Sequence, residues 1–152
     1  MALAEHCYAG AADILAALPH RPPFLFIDGV ESVDVGRAIR AVKNVAPTDV
    51  CGDGDFPRLP PVYLLECFGQ AGVLLVAAEP RERDARLGVF LGTVESFEVG
   101  GEVVAGDALE IEVRIEKRTS KMAILGARAS VRGAPVAEAR FTAYFYLESQ
   151  RA

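Results

Sequence analysis

A glutamate inside a long apolar run is the residue best placed to do chemistry in this chain of 152 residues. From Val62 to Ala78 the strongly polar side chains are Glu66 and Gln70. A carboxylate is costly in such surroundings unless it is neutralised or needed, and burial raises its pKa if it faces inward. Gln70 follows by four positions, which on a helix places it on the same face one turn away. That spacing has two readings. The pair can meet one ligand, as an acid/base and an amide that orients substrate or water, or Gln70 can simply hydrogen-bond a partly exposed Glu66. A second carboxylate, Asp55, lies in a proline- and glycine-rich stretch, and with a reference pKa of about 4 it is a weak base at neutral pH. The three cysteines, Cys7, Cys51 and Cys67, show no CxxC or Cys/His spacing, so they read as reduced thiols in a cytoplasmic protein and not as zinc ligands. Cys67 adjoins Glu66 in sequence, but adjacent helical side chains point to different faces, so it reads as a small apolar filler.

These groups need elements to hold them. The run Val62 to Ala78 is too short for a bilayer span and too long for a strand, so it predicts a helix buried on nearly all sides and stopped by Pro80. A short amphipathic helix at about 11–18 is stopped by Pro19. Phe24 to Val35 and Arg37 to Val45 read as a hairpin turning at Val35-Gly36. Pro47 to Pro61 holds four prolines, two glycines and three aspartates, which predicts a structured loop. Four strands then follow at Leu87–Phe97, Ala108–Lys117, Ala123–Arg132 and Val136–Leu147, in antiparallel succession between glycine- and serine-rich turns. Strands after one apolar helix imply an α+β architecture, a curled antiparallel sheet wrapped around that helix, over a single domain spanning 1–152.

Composition excludes several functions. The net charge is −5 and no basic run occurs, which disfavours nucleic acid. No apolar stretch reaches the roughly 18 residues of a membrane span, and Glu5 and His6 stand where a secretory peptide carries Lys or Arg. The glycines at 100, 101 and 106 lack a phosphate-loop context. Neither metal nor organic cofactor is implied.

Leu18-Pro19-His20-Arg21-Pro22-Pro23-Phe24-Leu25-Phe26-Ile27-Asp28-Gly29-Val30 resembles the L-P-H-R-x-P-F-L-x-x-D-x-V opening of the beta-hydroxyacyl-acyl-carrier-protein dehydratases, hotdog-fold enzymes of fatty-acid synthesis. In colinear order, Gly54-Asp55-Phe56-Pro57 resembles the family's G-H-F-P. The stretch Leu64-Leu65-Glu66-Cys67-Phe68-Gly69-Gln70-Ala71 resembles its L-x-E-A-M-A-Q-A helix, and Val103-Val104-Ala105-Gly106-Asp107 its V-V-x-G-D turn. The resemblance implies a hotdog fold, a dimer formed at a sheet edge, and an acyl thioester on acyl carrier protein or coenzyme A as substrate. In that family the G-H-F-P histidine removes the alpha proton and the helix carboxylate works with it from the opposite subunit. The resemblance therefore places Glu66 and Asp55 at the catalytic positions and Gln70, Phe56, Val62 and Tyr63 on the substrate side. His20 belongs to a motif that the family uses structurally.

Three departures bear on activity. Asp55 replaces the histidine, Glu66 follows it by eleven positions where the family spacing is about three longer, and Val62 stands where the family opens the helix with glycine. The strand that carries a basic rim for the acidic carrier protein reads Thr93-Val94-Glu95-Ser96-Phe97-Glu98-Val99, which leaves Arg21, Arg58, Arg81 and Arg83 as the alternative contacts. The leading expectation is an impaired or half-site subunit of fatty-acid or polyketide biosynthesis, as a homodimer or paired with a related subunit that bears the histidine. The alternatives are an autonomous thioesterase or atypical dehydratase using Glu66 or Asp55, and a degenerate homodimer with a sealed pocket.

Overall fold

The computed structural model describes residues 10–52, 56–80 and 85–149. Helix α1 (Ala11–Ala17) precedes a hairpin of β1 (Gly29–Asp34) and β2 (Ala38–Asn44); after a 3-10 turn at Pro47–Asp49 comes the long helix α2 (Pro61–Ala77). Strands β3 (Ala85–Val99), β4 (Ala108–Arg118), β5 (Met122–Val131) and β6 (Ala134–Ser149) complete a six-stranded sheet. Every strand pair is antiparallel.

Prolines at 60 and 61 suit the start of α2, where an N–H would have no helical partner. The helix ends at Ala77 and is capped by Ala78, two residues before Pro80. Leu64, Cys67, Phe68, Ala71, Leu74 and Leu75 along it are buried. They meet a concave sheet face whose inward residues recur at every second position: Leu109, Ile111 and Val113 on β4, and Ala123, Leu125, Ala127 and Ala129 on β5. At Gly72 the helix lies so close that an added Cβ would come within 3.0 Å of Leu125 Cδ1 and 3.8 Å of Phe141. A curled antiparallel sheet around one central helix is the α+β hotdog arrangement.

The strands do not follow one another across the sheet. Their order is β1-β2-β4-β5-β6-β3, so β3 crosses over the others to pair with β6 and becomes an edge. The expected succession is corrected there, and so is the start of the first hairpin. Phe24 to Asp28 is not strand: the Phe24 carbonyl and the Phe26 N–H bond to the Gln70 side chain of α2, and the segment joins β2 at Asp28, whose N–H donates to the Val42 carbonyl at 2.9 Å. The β5–β6 turn is Arg132-Gly133, one residue earlier than the sequence suggests, with φ of 51° and 77°, the conformation a two-residue hairpin requires. Gly106, at φ 93°, sits in the turn before β4, where Asp107 accepts a bond from the Val104 N–H at 3.0 Å and contacts Arg132 at 3.2 Å.

Candidate functional site

Gln70 organises the site. It is fully buried, and its amide is completely engaged: Oε1 accepts the Phe26 N–H at 2.9 Å, while Nε2 donates to the Phe24 carbonyl at 2.6 Å and to Glu66 Oε1 at 3.0 Å. One side chain thus fastens the segment after α1 to the middle of α2. Buried backbone groups without partners are costly, which is why an amide with both donor and acceptor suits this position. Of the two readings of the Glu66–Gln70 spacing, the structure shows the hydrogen bond between the two side chains, and both N–H groups of Gln70 are engaged within the protein.

Glu66 stands one turn earlier, and the helix is not buried on all sides there, for its side chain is 40% exposed. Its Oε1 is approached from a second direction by His20 Nε2 at 3.3 Å. His20 is brought in by the segment that Gln70 fastens, and the Arg21 guanidinium donates to the carbonyls of Leu18 at 2.8 Å and His20 at 2.7 Å. That contact with Glu66 was absent from the sequence reading. Helical spacing reveals Gln70 but cannot reveal a partner that lies before the hairpin.

Glu66 and His20 line the polar end of a hollow of about 210 Å³ whose other walls include Gly69, Val73, Val89, Leu91, Phe141 and Ala143. Gly69 and Val73 follow Glu66 by three and seven positions, so the same helical face that presents the carboxylate also presents the apolar wall. A larger hollow of about 490 Å³ lies on the other face of the sheet above Gly126, but its rim is charged and internally paired through Arg114–Glu112, Arg128–Glu138 and Arg140–Glu116. Paired surface charges form no acyl site. The first hollow, with one carboxylate at an apolar slot, suits a molecule with a reactive polar end and a hydrocarbon tail.

The other candidate residues do not converge here. Asp55 lies outside the described residues, as do His6, Cys7, Arg81 and Arg83. Phe56 is 79% exposed and Val62, on the first turn of α2, is 62% exposed. Tyr63 is half-buried and packs on Phe26 at 4.9 Å between ring centres. None of these three lines the hollow. Phe90 is exposed and stacked on Tyr144 at 5.6 Å, and it forms part of the wall of the same hollow. Cys67 is fully buried, and burial pushes its thiol up to about 12, which leaves it unreactive. Arg58 is bound to Glu102 at 2.9 Å, and Glu95 on β3 to Arg140.

Beneath the fastened segment, Lys43 is buried, lies 5.3 Å from the centre of the Phe26 ring, and pairs with Asp49 at 2.9 Å. Burial alone would raise the Asp49 carboxyl, but the Ala46 N–H and the Lys43 ammonium outweigh it and hold the group below the usual range. This pair braces the loop that leads towards Asp55.

Among curated proteins, the chain is 34% identical over 129 residues to a 3-hydroxyacyl-[acyl-carrier-protein] dehydratase FabZ of Herpetosiphon aurantiacus, covering 83% of this chain and 90% of that one. Among solved structures it is similar to the dehydratase heterocomplex ApeI:P of Xenorhabdus doucetiae, with a TM-score of 0.74 at 18% identity over 86% of this chain and 89% of that one. A protein of Streptococcus mutans bound to acetyl CoA shares the fold with a TM-score of 0.65 at 14% identity, over 80% of this chain and 90% of that one. A match over residues 18–140 runs from the segment that carries His20 into β6, and on that breadth the chain belongs to the FabA-like domain family.

Proposed function

We propose that the chain is a dehydratase subunit of fatty-acid or polyketide biosynthesis that acts on 3-hydroxyacyl thioesters, carried on acyl carrier protein or coenzyme A. It supplies Glu66 to a site completed by a related hotdog subunit bearing the histidine that position 55 lacks. The observation that carries this reading is Glu66 itself: its Oε1 is bound within the chain, its Oε2 has no hydrogen bond among the described residues, and it faces an apolar slot beside the sheet edge. The curated relatives of the chain are dehydratases acting on carrier-bound acyl groups by name, and ApeI:P is a dehydratase heterocomplex.

In the reaction the partner's imidazole takes the alpha proton of the thioester. The electrons of that C–H bond form the C2–C3 double bond, and the C3–O bond breaks as Glu66 delivers a proton to the departing hydroxyl, which leaves as water. Hydroxide is too poor a leaving group to depart without such a donor. Edge strand β3 supports the pairing, since Leu91, Val94 and Val99 leave apolar surface exposed there.

The test is turnover of a 3-hydroxyacyl thioester by the purified chain alone and mixed with a histidine-bearing relative, following enoyl product and free thiol together. Enoyl product formed beyond the relative's own rate, and lost with Glu66→Ala, is the expected result. A second reading, a thioesterase in which Glu66 activates water, draws on the carboxylate that lines the slot with its Oε2 free of hydrogen bonds among the described residues. Free thiol released by the chain alone and abolished by Glu66→Ala would select it.

A further inference from the structure

We propose that His20 is a positioning residue which, with Gln70, ties up Oε1 of Glu66 and so makes Oε2 the atom that exchanges the proton. The inference deepens the function proposed above and rests on it for its kinetic consequence, while its structural core stands on contacts within this chain.

The two nitrogens of His20 are both accounted for. Nε2 lies 3.3 Å from Glu66 Oε1, and Nδ1 is enclosed with no hydrogen-bond partner among the described residues. A carboxylate can only accept, so of the two neutral tautomers of imidazole only the one protonated at Nε2 places a donor against it. In that tautomer Nδ1 carries no hydrogen, and no buried N–H is left without an acceptor. With one nitrogen on Glu66 and the other shut in, His20 offers substrate neither a base nor an acid. It acts through the carboxylate and does not replace the imidazole missing from position 55.

The support behind it is rigid. Arg21 clamps the backbone on both sides of the peptide that leads into His20, through the carbonyls of Leu18 and His20, and Gln70 fastens Phe24 and Phe26. Glu66 Oε1 then accepts the Gln70 Nε2–H from its own helix and lies 3.3 Å from His20 Nε2 across the segment. Two donors on one oxygen fix the plane of the carboxyl group and draw its charge to that oxygen. Rotation that would otherwise exchange the two oxygens is suppressed before substrate arrives.

The experiment has two readouts. The chain has two histidines, so 15N-histidine labelling gives two ring signatures, and His20→Gln identifies which belongs to position 20. The wild-type chain is expected to show His20 fixed in the Nε2–H tautomer, and Glu66→Ala is expected to release it to a mixture of tautomers. In the mixed pair, His20→Ala is expected to lower kcat by about 10- to 100-fold with KM changed by less than about twofold, as when an outer partner that orients a reacting group is removed. His20→Gln, whose amide nitrogen can reach the same oxygen, is expected to recover most of that loss, with thermal unfolding verifying that both variants are folded. An Nδ1–H tautomer, or a tautomer mixture unchanged by Glu66→Ala, overturns the proposal. So does a folded His20→Gln no better than His20→Ala, or an effect confined to KM. If the wild-type pair forms no enoyl product, the functional reading fails by itself and the tautomer measurement still decides the role of His20.

Discussion

A buried amide that satisfies three groups at once cannot be replaced by an apolar side chain without leaving the others behind. Gln70→Leu fills the space but strands the Phe26 N–H and the Phe24 carbonyl, each of which bonds to Gln70 alone among the side chains of α2. Destabilisation of about 2 to 4 kcal/mol is expected from denaturant unfolding, the size of two unsatisfied buried polar groups. Loss of Glu66-dependent activity should accompany it, because His20 rides on the freed segment. Cys67 provides a contrast at the same scale. Its burial and raised thiol pKa predict that alkylation of the folded chain modifies exposed Cys51 and spares Cys67, as read by peptide mass mapping; modification of Cys67 at a comparable rate would show that α2 is less closely covered than its packing indicates.

Between α1 and α2 the elements are joined by polar braces and not by apolar packing alone. Asp28 accepts the Asn44 N–H at 2.7 Å, closing the base of the β1–β2 hairpin, and Lys43 on β2 holds Asp49 in the 3-10 turn. The Asp49 carboxyl is held below its unfolded value of 3.8, so the folded state binds fewer protons there than the unfolded chain. The stability this group contributes is complete above the unfolded pKa and is lost as pH falls through the folded one. Asp49→Asn removes that dependence. Its melting temperature is expected to be lower than wild type at neutral pH, with the gap narrowing as pH drops from about 5 towards 3; parallel curves would assign the acid sensitivity to other carboxylates. The variant also leaves Lys43 buried beside Phe26 without its counter-charge, which is why the neutral-pH loss should exceed that of an exposed pair.

Across the whole molecule, the position of β3 decides what the protein can pair with. One side of the strand bonds to β6; the other borders no strand of the sheet, and the register slips between Leu91 and Ser96 mark an irregular edge. A long edge with apolar side chains invites another strand. Val94→Lys is expected to convert a dimer to a monomer in light scattering while the circular dichroism of the sheet is kept; a dimer unaffected by the charge would move the interface elsewhere. The hollow beside Glu66 abuts Val89 and Leu91 of this same strand, so a subunit docked there would cover the slot and could reach into it. That proximity is why assembly and activity are expected to fail together in Val94→Lys.

Much of this was legible in the residues alone. The apolar run between prolines fixes α2, the period-two alternation fixes β4 and β5, and the four-residue spacing puts Glu66 and Gln70 on one face, because each depends only on local geometry. What local geometry cannot contain was decided by the tertiary structure. The pairing of β3 with β6 joins strands separated by β4 and β5, and nothing in either strand's alternation names its neighbour. Phe24 to Asp28 has strand-forming residues, yet the Phe24 carbonyl and the Phe26 N–H bond to Gln70. His20 meets Glu66 only because that side-chain fastening folds the segment back over the helix, so a histidine with no counterpart in the family's catalytic motif ends 3.3 Å from the carboxylate. The sequence determined which groups were present and which face carried them, while long-range hydrogen bonding determined which of them touch.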